Sequence, residues 1–249
     1  MEFKDKVVLI SGATGGMGRE IAKLLAEEGC HLALLARNEN KLKALVDELK
    51  SEKTDCLSIK CDVKNKNEIK NAVESTKKRF GRIDIAILTA GVLIPNPVED
   101  FKSSIIKDSI DINFMANIYF LEYLLPIMKK QKYGRIINMS SSAGRSVSTL
   151  GGAHYTASKA AVLGFTRHLA KEVAEYGITA NAICPGLIDT EMVRKNCSKS
   201  RLKNYINQFP IHRLGKPEEV AELILFLASP EAGYITGASF DINGGDLMI

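Results

Sequence analysis

Short apolar runs alternate with amphipathic segments along the whole 249-residue chain. The apolar runs have the length and composition of buried β-strands, and they lie at residues 7–10, 31–35, 56–60, 83–89, 134–139, 178–184 and 239–242. The segments between them, such as residues 19–28 and 38–50, have helical patterns. This regular alternation predicts parallel βαβ units and therefore an α/β fold.

Right-handed crossovers would place helices on both faces of the sheet and a ligand crevice at the carboxyl ends of the strands. The sequence contains no internal repeat, low-complexity tract or linker, so we expect residues 1–249 to form a single domain with a doubly wound parallel sheet. The least regular stretch is residues 186–214, between Pro185 and Pro217. It follows a strand end, where a mobile substrate lid is expected.

Charge and hydropathy argue against a nucleic-acid-binding protein and against a membrane protein. The net charge of +5 comes from cations scattered among nearly as many acids, without the basic stripe of a nucleic-acid-binding protein. No apolar stretch reaches the ~18 residues of a membrane span, and the N-terminus lacks a signal-peptide pattern. We therefore expect a cytoplasmic protein that binds neither nucleic acid nor membrane. The cysteines have no metal-ligand spacing, which predicts reduced, mostly buried thiols and no metal site: Cys30, Cys56, Cys61, Cys184 and Cys197.

A glycine-rich segment, GATGGMG at residues 12–18, follows the first strand and opens the first helix. Glycines allow the backbone to approach a pyrophosphate closely, and a helix N-terminus offers free N–H groups. The spacing is Gly-x-x-x-Gly-x-Gly and differs from the commonest dinucleotide-binding pattern. A glycine-rich connection without a ligand is the alternative, but the position after the first strand favours a phosphate site.

The second strand ends in Ala36-Arg37-Asn38. An acid near this point usually binds the ribose hydroxyls of NAD, and none is present here. Arg37 could instead form charge-assisted hydrogen bonds with a 2′-phosphate. This favours NADP(H) over NAD(H), with a solvated surface arginine as the alternative.

Tyr155 and Lys159 lie four residues apart at the start of a helical pattern and therefore share one helix face. A phenol titrates near pH ~10, and a neighbouring cation lowers that pKa, which suits general acid–base work. Upstream, NMSSSAG at residues 138–144 ends another strand. A serine hydroxyl there could hold a substrate oxygen opposite Tyr155.

Over essentially its whole length the chain resembles the short-chain dehydrogenase/reductase family. The matching segments are residues 11–18, 61–63, 90–91, 113, 134–141, 155–159, 181–186, 236–237 and 243–245. The resemblance implies a Rossmann-type fold and an NADP(H)-dependent oxidoreductase that interconverts a ketone and a secondary alcohol by hydride transfer.

The resemblance also implies residue roles. Tyr155 would exchange the hydroxyl proton of the substrate, and Lys159 would bind the nicotinamide ribose and lower the pKa of Tyr155. Ser141 would bond the reacting oxygen, and Asn113 would help to hold a water that links Lys159 to solvent. The remaining residues would contact the cofactor: Gly12, Gly16 and Gly18 at the phosphates, Asp62 and Val63 at the adenine, Thr190 at the nicotinamide amide, and also Thr14, Met17, Arg37, Ala90, Gly91, Pro185, Gly186 and Ile188.

Three features depart from the family pattern. Residues 88–91 read LTAG in place of Asn-Asn-Ala-Gly, which removes side-chain amides that steady the central sheet. Three consecutive serines leave open which one is catalytic, with Ser141 as the best fit. His154 could be a secondary titrating group, although we expect an exposed loop histidine.

The C-terminal half resembles bacterial 3-oxoacyl-[acyl carrier protein] reductases at residues 213–221 and in its Gly-Gly ending. Lys132 and Arg135 could serve as the basic residues that an acidic carrier protein needs at the mouth of the site, whereas Tyr176 stands where those reductases often have a basic residue. Three hypotheses stay open: a reductase of 3-oxoacyl thioesters on a carrier protein or CoA, a dehydrogenase of free alcohols such as sugars, polyols or hydroxysteroids, and an NADP-binding regulatory protein without turnover. The family also implies a homotetramer.

Overall fold

The computed structural model describes residues 2–50 and 54–249. Within these residues seven parallel strands form one sheet in the order β3-β2-β1-β4-β5-β6-β7. The strands are β1 (Val7–Ser11), β2 (His31–Ala36), β3 (Cys56–Lys60), β4 (Ile85–Leu88), β5 (Gly134–Met139), β6 (Ile178–Pro185) and β7 (Ser239–Ile242). The predicted α/β fold with a doubly wound parallel sheet is confirmed.

Helices connect the strands: α1 (Gly16–Glu27), α2 (Glu39–Leu49), α3 (Lys66–Phe80), α4 (Ser103–Ile110), α5 (Ala116–Gln131), α6 (Ala153–Val173), α7 (Glu191–Asn196), α8 (Lys199–Ile206) and α9 (Pro217–Ala228). A π-helical segment, Asp111–Met115, joins α4 to α5. Helix α1 begins earlier than the predicted residue 19, because the last glycines of the turn already belong to its first turn.

The core lies on both faces of the sheet, as the periodicity of β1 shows. Val8 and Ile10 belong to a cluster with residues of α1, α2 and α9, whereas Leu9 belongs to a second cluster with residues of α3, α5 and α6. Side chains alternate along a strand, so a continuously apolar strand must be covered on both sides. Each such buried aliphatic side chain contributes about 1.5–3 kcal/mol to folding.

Two further expectations from the sequence were wrong. Strand β4 begins at Ile85 rather than at residue 83, because the backbone N–H and C=O of Ile83 bond the side-chain amide of Gln131 instead of a neighbouring strand. Residues 186–214 are more regular than expected, since they contain helices α7 and α8.

The strand order places the ends of β1 and β4 side by side where the chain switches direction across the sheet. A crevice for a ligand forms at such a point in doubly wound folds. Among residues 2–50 and 54–249, no helix combines the length and apolarity of a membrane span, and no cluster of three or more His, Cys, Asp or Glu could hold a metal. The five cysteines are free, and all except Cys56 are fully buried, as predicted.

Candidate active site

The turn between β1 and α1 brings backbone close to backbone at the carboxyl edge of the sheet. Gly12 has a φ of +71°, and a Cβ there would lie 2.9 Å from the backbone nitrogen of Ala90. Gly15 precedes α1, and none of the described side chains caps the helix. The N–H groups of the first turn are therefore available to an anion, and the cradle fits a pyrophosphate.

The three glycines of this turn have different surroundings. Gly18 is buried, and a Cβ there would overlap the carbonyl oxygen of Gly12. Gly18 therefore packs closely against the turn, and its contact with the phosphates stays a prediction. A Cβ on exposed Gly16 would lie 2.9 Å from the methyl carbon of Thr190.

Thr190 is the N-cap of α7, where its hydroxyl accepts a 3.4 Å hydrogen bond from the backbone N–H of Val193. The same hydroxyl donates to the carbonyl oxygen of Ile188 at 3.4 Å. The side chain is thus already engaged at the start of a helix. Its predicted contact with a nicotinamide amide would have to share or replace these bonds.

Arg37 directly follows β2 and is exposed. It forms no hydrogen bond or ion pair with any residue that the structure describes, so its guanidinium is free to bind a ligand. The nearest following acid, Glu39, pairs with Lys60 at 3.6 Å. The end of β2 therefore offers a cation and no unpaired acid to a ribose or its phosphate.

The segment after β3 lies beside this position because β3 neighbours β2 in the sheet. Val63 is buried, and the carboxylate of Asp62 accepts a 3.0 Å hydrogen bond from the backbone N–H of Lys64. The two residues are placed where an adenine next to the end of β2 could reach them, and their role stays a prediction.

Tyr155 and Lys159 lie on one face of α6, and both are buried. The ammonium of Lys159 is 5.8 Å from the centroid of the Tyr155 ring and donates a 2.8 Å hydrogen bond to the carbonyl oxygen of Met139. Because Met139 ends β5, this bond fixes the lysine against the carboxyl edge of the sheet.

Burial dominates the titration of both groups. It raises the pKa of the Tyr155 phenol, and a hydrogen bond from Ser141 acts in the opposite direction. It lowers the pKa of Lys159 to about 8. The sequence predicted a lowered pKa for Tyr155, and for the chain by itself this was wrong, because desolvation of the phenolate outweighs the stabilisation from its neighbours.

The three consecutive serines have different contacts in the structure. The hydroxyl of Ser140 is buried and donates to the carbonyl oxygen of Lys159 at 2.8 Å. Ser142 begins a short 3₁₀ turn. Ser141 contacts the phenol of Tyr155, and its hydroxyl accepts a 3.2 Å bond from the N–H of Ala143. Of the three, Ser141 has the geometry to share a substrate oxygen with Tyr155.

Asn113 lies in the π-helical segment, which turns its amide toward the end of β4. Its Oδ1 accepts from the N–H of Val92 at 2.8 Å, and its Nδ2 donates to the Val92 carbonyl at 3.0 Å and to the Ser158 hydroxyl at 3.1 Å. A Cβ on Gly91 would lie 3.2 Å from Asn113 Oδ1 and 3.6 Å from Lys159 Nζ. The amide and the ammonium therefore border the same glycine.

A cleft opens above these groups. Ser141, Tyr155 and Lys159 line it together with six of the predicted cofactor residues, namely Met17, Gly91, Pro185, Gly186, Ile188 and Thr190. Leu93, Leu150 and Val193 form an apolar wall of the cleft, and they belong to an apolar cluster that also includes Leu202 of α8. The other predicted cofactor residues, including Thr14, lie outside the cleft lining, and Asn113 lies behind it.

Two side chains near the site behave differently from expectation. His154 is buried in the first turn of α6, and its Nε2 is 3.1 Å from the carbonyl oxygen of Ile94, so it is not an exposed loop residue. The hydroxyl of Thr89 donates to the carbonyl oxygen of Ser11 at 2.6 Å. This bond ties the end of β4 to β1, and thus Thr89 provides a cross-link where the sequence indicated only lost amides.

The two basic residues that were candidates for the mouth of the site lie elsewhere. Arg135 is buried near the amino end of β5, where its guanidinium donates to the carbonyl oxygens of Gly134 and Ser229. Lys132 follows the C-terminus of α5 on the same side. The prediction failed because the first residues of a parallel strand lie opposite the ligand edge.

A family model described as enoyl-(acyl carrier protein) reductase matches residues 12–246. The chain belongs to the short-chain dehydrogenase/reductase family, a class that the parallel sheet, the glycine turn and the Ser141, Tyr155 and Lys159 group already indicated. The predicted class of protein, an oxidoreductase that uses a nicotinamide dinucleotide, is confirmed.

Particular relatives are similar over their full length. The chain is 39% identical to the 3-oxoacyl-[acyl-carrier-protein] reductase FabG of Rickettsia felis over 249 residues, which is 100% of both proteins. A crystal structure of a 3-oxoacyl-[acyl-carrier protein] reductase with bound NAD from Brucella melitensis matches with a TM-score of 0.90 and 30% identity, covering 100% of this chain and 93% of that one. Levodione reductase matches with a TM-score of 0.91 and 34% identity over 98% of each chain.

Proposed function

We propose that this protein reduces the ketone of a 3-oxoacyl thioester to a secondary alcohol with NADPH. The observation that carries the proposal is the line of polar groups from partly buried Ser141 through buried Tyr155 to buried Lys159, in a cleft with an apolar wall. The FabG proteins to which the chain is similar along its whole length support the choice of substrate.

The chain's own residues would hold and move a proton at the substrate oxygen. Ser141 would bond that oxygen and Tyr155 would donate the hydroxyl proton to it. Lys159, held by Met139, would supply positive charge beside the phenol and favour its ionised form as the proton leaves. Asn113, which borders the same glycine as Lys159, would support a water that returns the proton from solvent.

The dinucleotide supplies the hydride when it is bound. The backbone around Gly12 and the free N–H groups at the start of α1 would hold its phosphates. Glycine is needed at position 12 because a Cβ there would collide with the backbone of Ala90. Gly91, Pro185, Gly186 and Ile188 would border the nicotinamide half. These residues orient the cofactor and exclude water from the reacting face.

The preference for NADP(H) over NAD(H) rests on Arg37. Its guanidinium has no partner among the described residues and stands at the end of β2, where a 2′-phosphate could accept charge-assisted hydrogen bonds. A tenfold preference requires only about 1.4 kcal/mol.

The test is NADPH oxidation with an acetoacetyl thioester, run beside NADH at equal concentration. We expect rapid oxidation of NADPH and at least tenfold slower oxidation of NADH. Absence of turnover with the thioester, together with turnover of free ketones, would contradict the thioester assignment and leave the reaction class intact.

A free ketone is the second candidate substrate. Among the described residues, buried Lys159 is the one basic residue that lines the cleft, and Tyr176 lies beside Lys132 at the opposite edge of the sheet, so the cleft shows no cation for an acidic carrier protein. The similarity to levodione reductase also favours a small free ketone. Turnover of such a ketone with a kcat/KM above that of the thioester would select this candidate.

The assembly proposed for this function is a cytoplasmic homotetramer that reduces 3-oxoacyl groups while they remain attached to a carrier protein or CoA. The family resemblance is the basis for the tetramer, in which residues 101–130 and 155–177 would pack between subunits. Sedimentation at micromolar concentration would show a particle of about four chains, and a monomer would contradict it.

A further inference from the structure

The cleft contains an acidic group that the proposed chemistry does not use. Among the described residues, two charged side chains line the cleft, Lys159 and Asp246. Lys159 is buried at its floor, whereas Asp246 is exposed to solvent. Asp246 belongs to the last segment of the chain, far in sequence from the other groups of the site.

The segment that carries Asp246 is held in a defined turn. The side chain of Asn243 accepts a 2.9 Å hydrogen bond from the N–H of Gly245 and donates a 2.8 Å bond to the carbonyl oxygen of Leu247. The two bonds hold Gly245 and Leu247, the residues directly before and after Asp246. Its position in the cleft is therefore fixed by local structure and is not that of a free terminus.

A second set of contacts joins this turn to the segment after α8. The N–H of Ile211 donates to the carbonyl oxygen of Gly244 at 3.0 Å. Gly245 has a φ of +83°, and a Cβ there would lie 2.8 Å from the ring of Pro210. Only glycine allows this close approach, so the turn is packed against the end of the proposed lid region.

The carboxylate of Asp246 has no hydrogen-bond or ion-pair partner among the described residues. By contrast, nearby Asp241 pairs with Arg145 at 3.0 Å. Asp246 is exposed overall, although partial burial raises the pKa of its carboxyl group. An unpaired anion repels a second anion most strongly at short range, where little water lies between the two charges.

We propose that Asp246 sets the charge preference of the cleft, so that neutral 3-oxo compounds, such as esters and thioesters, are accepted and 3-oxo acids with a free carboxylate are rejected. The inference rests on the proposed ketone reduction and defines its substrate class. The carbonyl must reach Tyr155, and Asp246 lines the same cleft, so a group attached to the carbonyl shares the cleft with this carboxylate. A free carboxylate on that group meets the anion, whereas an ester does not.

The test compares acetoacetate with ethyl acetoacetate, using NADPH and the full-length protein at neutral pH. For Asp246→Asn, we expect the ratio of kcat/KM for the acid to kcat/KM for the ester to rise at least fivefold over wild type. Glu222→Gln serves as a matched control, because Glu222 is an exposed acid of α9 that does not line the cleft. It should leave the ratio at the wild-type value.

A smaller rise in Asp246→Asn, or an equal rise in Glu222→Gln, would overturn the assignment of Asp246. If the wild type oxidises NADPH with the ester and the ratio does not change in the variant, the inference about Asp246 fails alone. If the wild type turns over no 3-oxo ester or thioester, the proposed function fails.

Discussion

The ammonium of Lys159 donates a 2.8 Å hydrogen bond to the carbonyl oxygen of Met139. This bond joins the buried face of α6 to the last residue of β5 and places a cation beside the phenol of Tyr155. Burial lowers the pKa of this lysine to about 8, from an ordinary value of 10.5. The same arrangement that could support proton transfer therefore carries a cost in folding stability at neutral pH.

The lowered pKa predicts how stability depends on pH. Between about pH 8 and pH 10.5 the unfolded chain holds a proton on Lys159 that the folded chain has released. The free energy of unfolding therefore rises with pH in this window and falls again as pH drops toward 8. Relative to Lys159→Met, the wild type should gain about 2 kcal/mol between roughly pH 7.5 and pH 10. Urea unfolding of both proteins measures this, and parallel pH curves would contradict it.

Asn113→Ala should destabilise the protein. The change removes the amide that bonds both backbone groups of Val92 and leaves the N–H of Val92 without its acceptor. An unsatisfied group of this kind costs about 1–3 kcal/mol, equivalent to a fall in Tm of roughly 3–10 °C for a chain of this size. Asn204→Ala, at an exposed position of α8, is the control. Equal melting temperatures for the two variants would contradict the role of the amide.

Gly18→Ala should disrupt the turn that we propose binds the phosphates. Its Cβ would overlap the carbonyl oxygen of Gly12, and the nearest atoms are all backbone of Gly12 and Ala13, which cannot rotate away as a side chain could. We expect cofactor affinity to fall at least tenfold, measured by fluorescence titration. Gly164→Ala is matched in chemistry, but its Cβ meets nothing closer than 3.9 Å on α6, so it should stabilise the helix by up to about 1 kcal/mol. Unchanged affinity in Gly18→Ala would show that the turn does not hold the cofactor.

Arg37→Ala should weaken NADPH binding selectively. Charge-assisted hydrogen bonds are worth about 1.5–3 kcal/mol, so the Kd for NADPH should rise about tenfold or more while that for NADH changes little. Lys43→Ala removes an exposed cation from α2 and controls for the general loss of charge. Similar changes for both cofactors in Arg37→Ala would rule out a 2′-phosphate contact.

Local pattern was enough to predict most of the sheet. The continuous apolar runs of β1 and β2 are buried on both faces, so their sequence carries the signal directly. Where tertiary contacts decide, the pattern failed. Ile83 looks like strand, yet its backbone bonds Gln131, which is distant in sequence. Helices α7 and α8 are short and weakly apolar, and they are anchored by the cluster around Leu150 and Val193.

In the candidate site too, features set by local sequence pattern could be predicted, whereas features set by tertiary contacts could not. The spacing of Tyr155 and Lys159 predicted a shared helix face, because four residues make about one turn. The burial of His154 could not be predicted, since it depends on the approach of the loop that carries Ile94. The position of Arg135 was predicted wrongly because it depends on where Arg135 lies within its strand. As one of the first residues of β5, Arg135 lies at the amino edge of the sheet, opposite the ligand cleft. Asp246 was missed entirely, since a C-terminal acid carries no sequence signal for a cleft.

The most direct test of the account is the kinetics of Tyr155→Phe with NADPH and an acetoacetyl thioester. The phenylalanine keeps the ring beside Lys159 and removes the proton that the substrate oxygen would receive. We predict that kcat falls by a factor of about 10²–10⁴ while the Kd for NADPH stays within a few-fold of wild type. A variant that retains most of the wild-type kcat would contradict the assignment of Tyr155 as the acid, and with it the proposed mechanism.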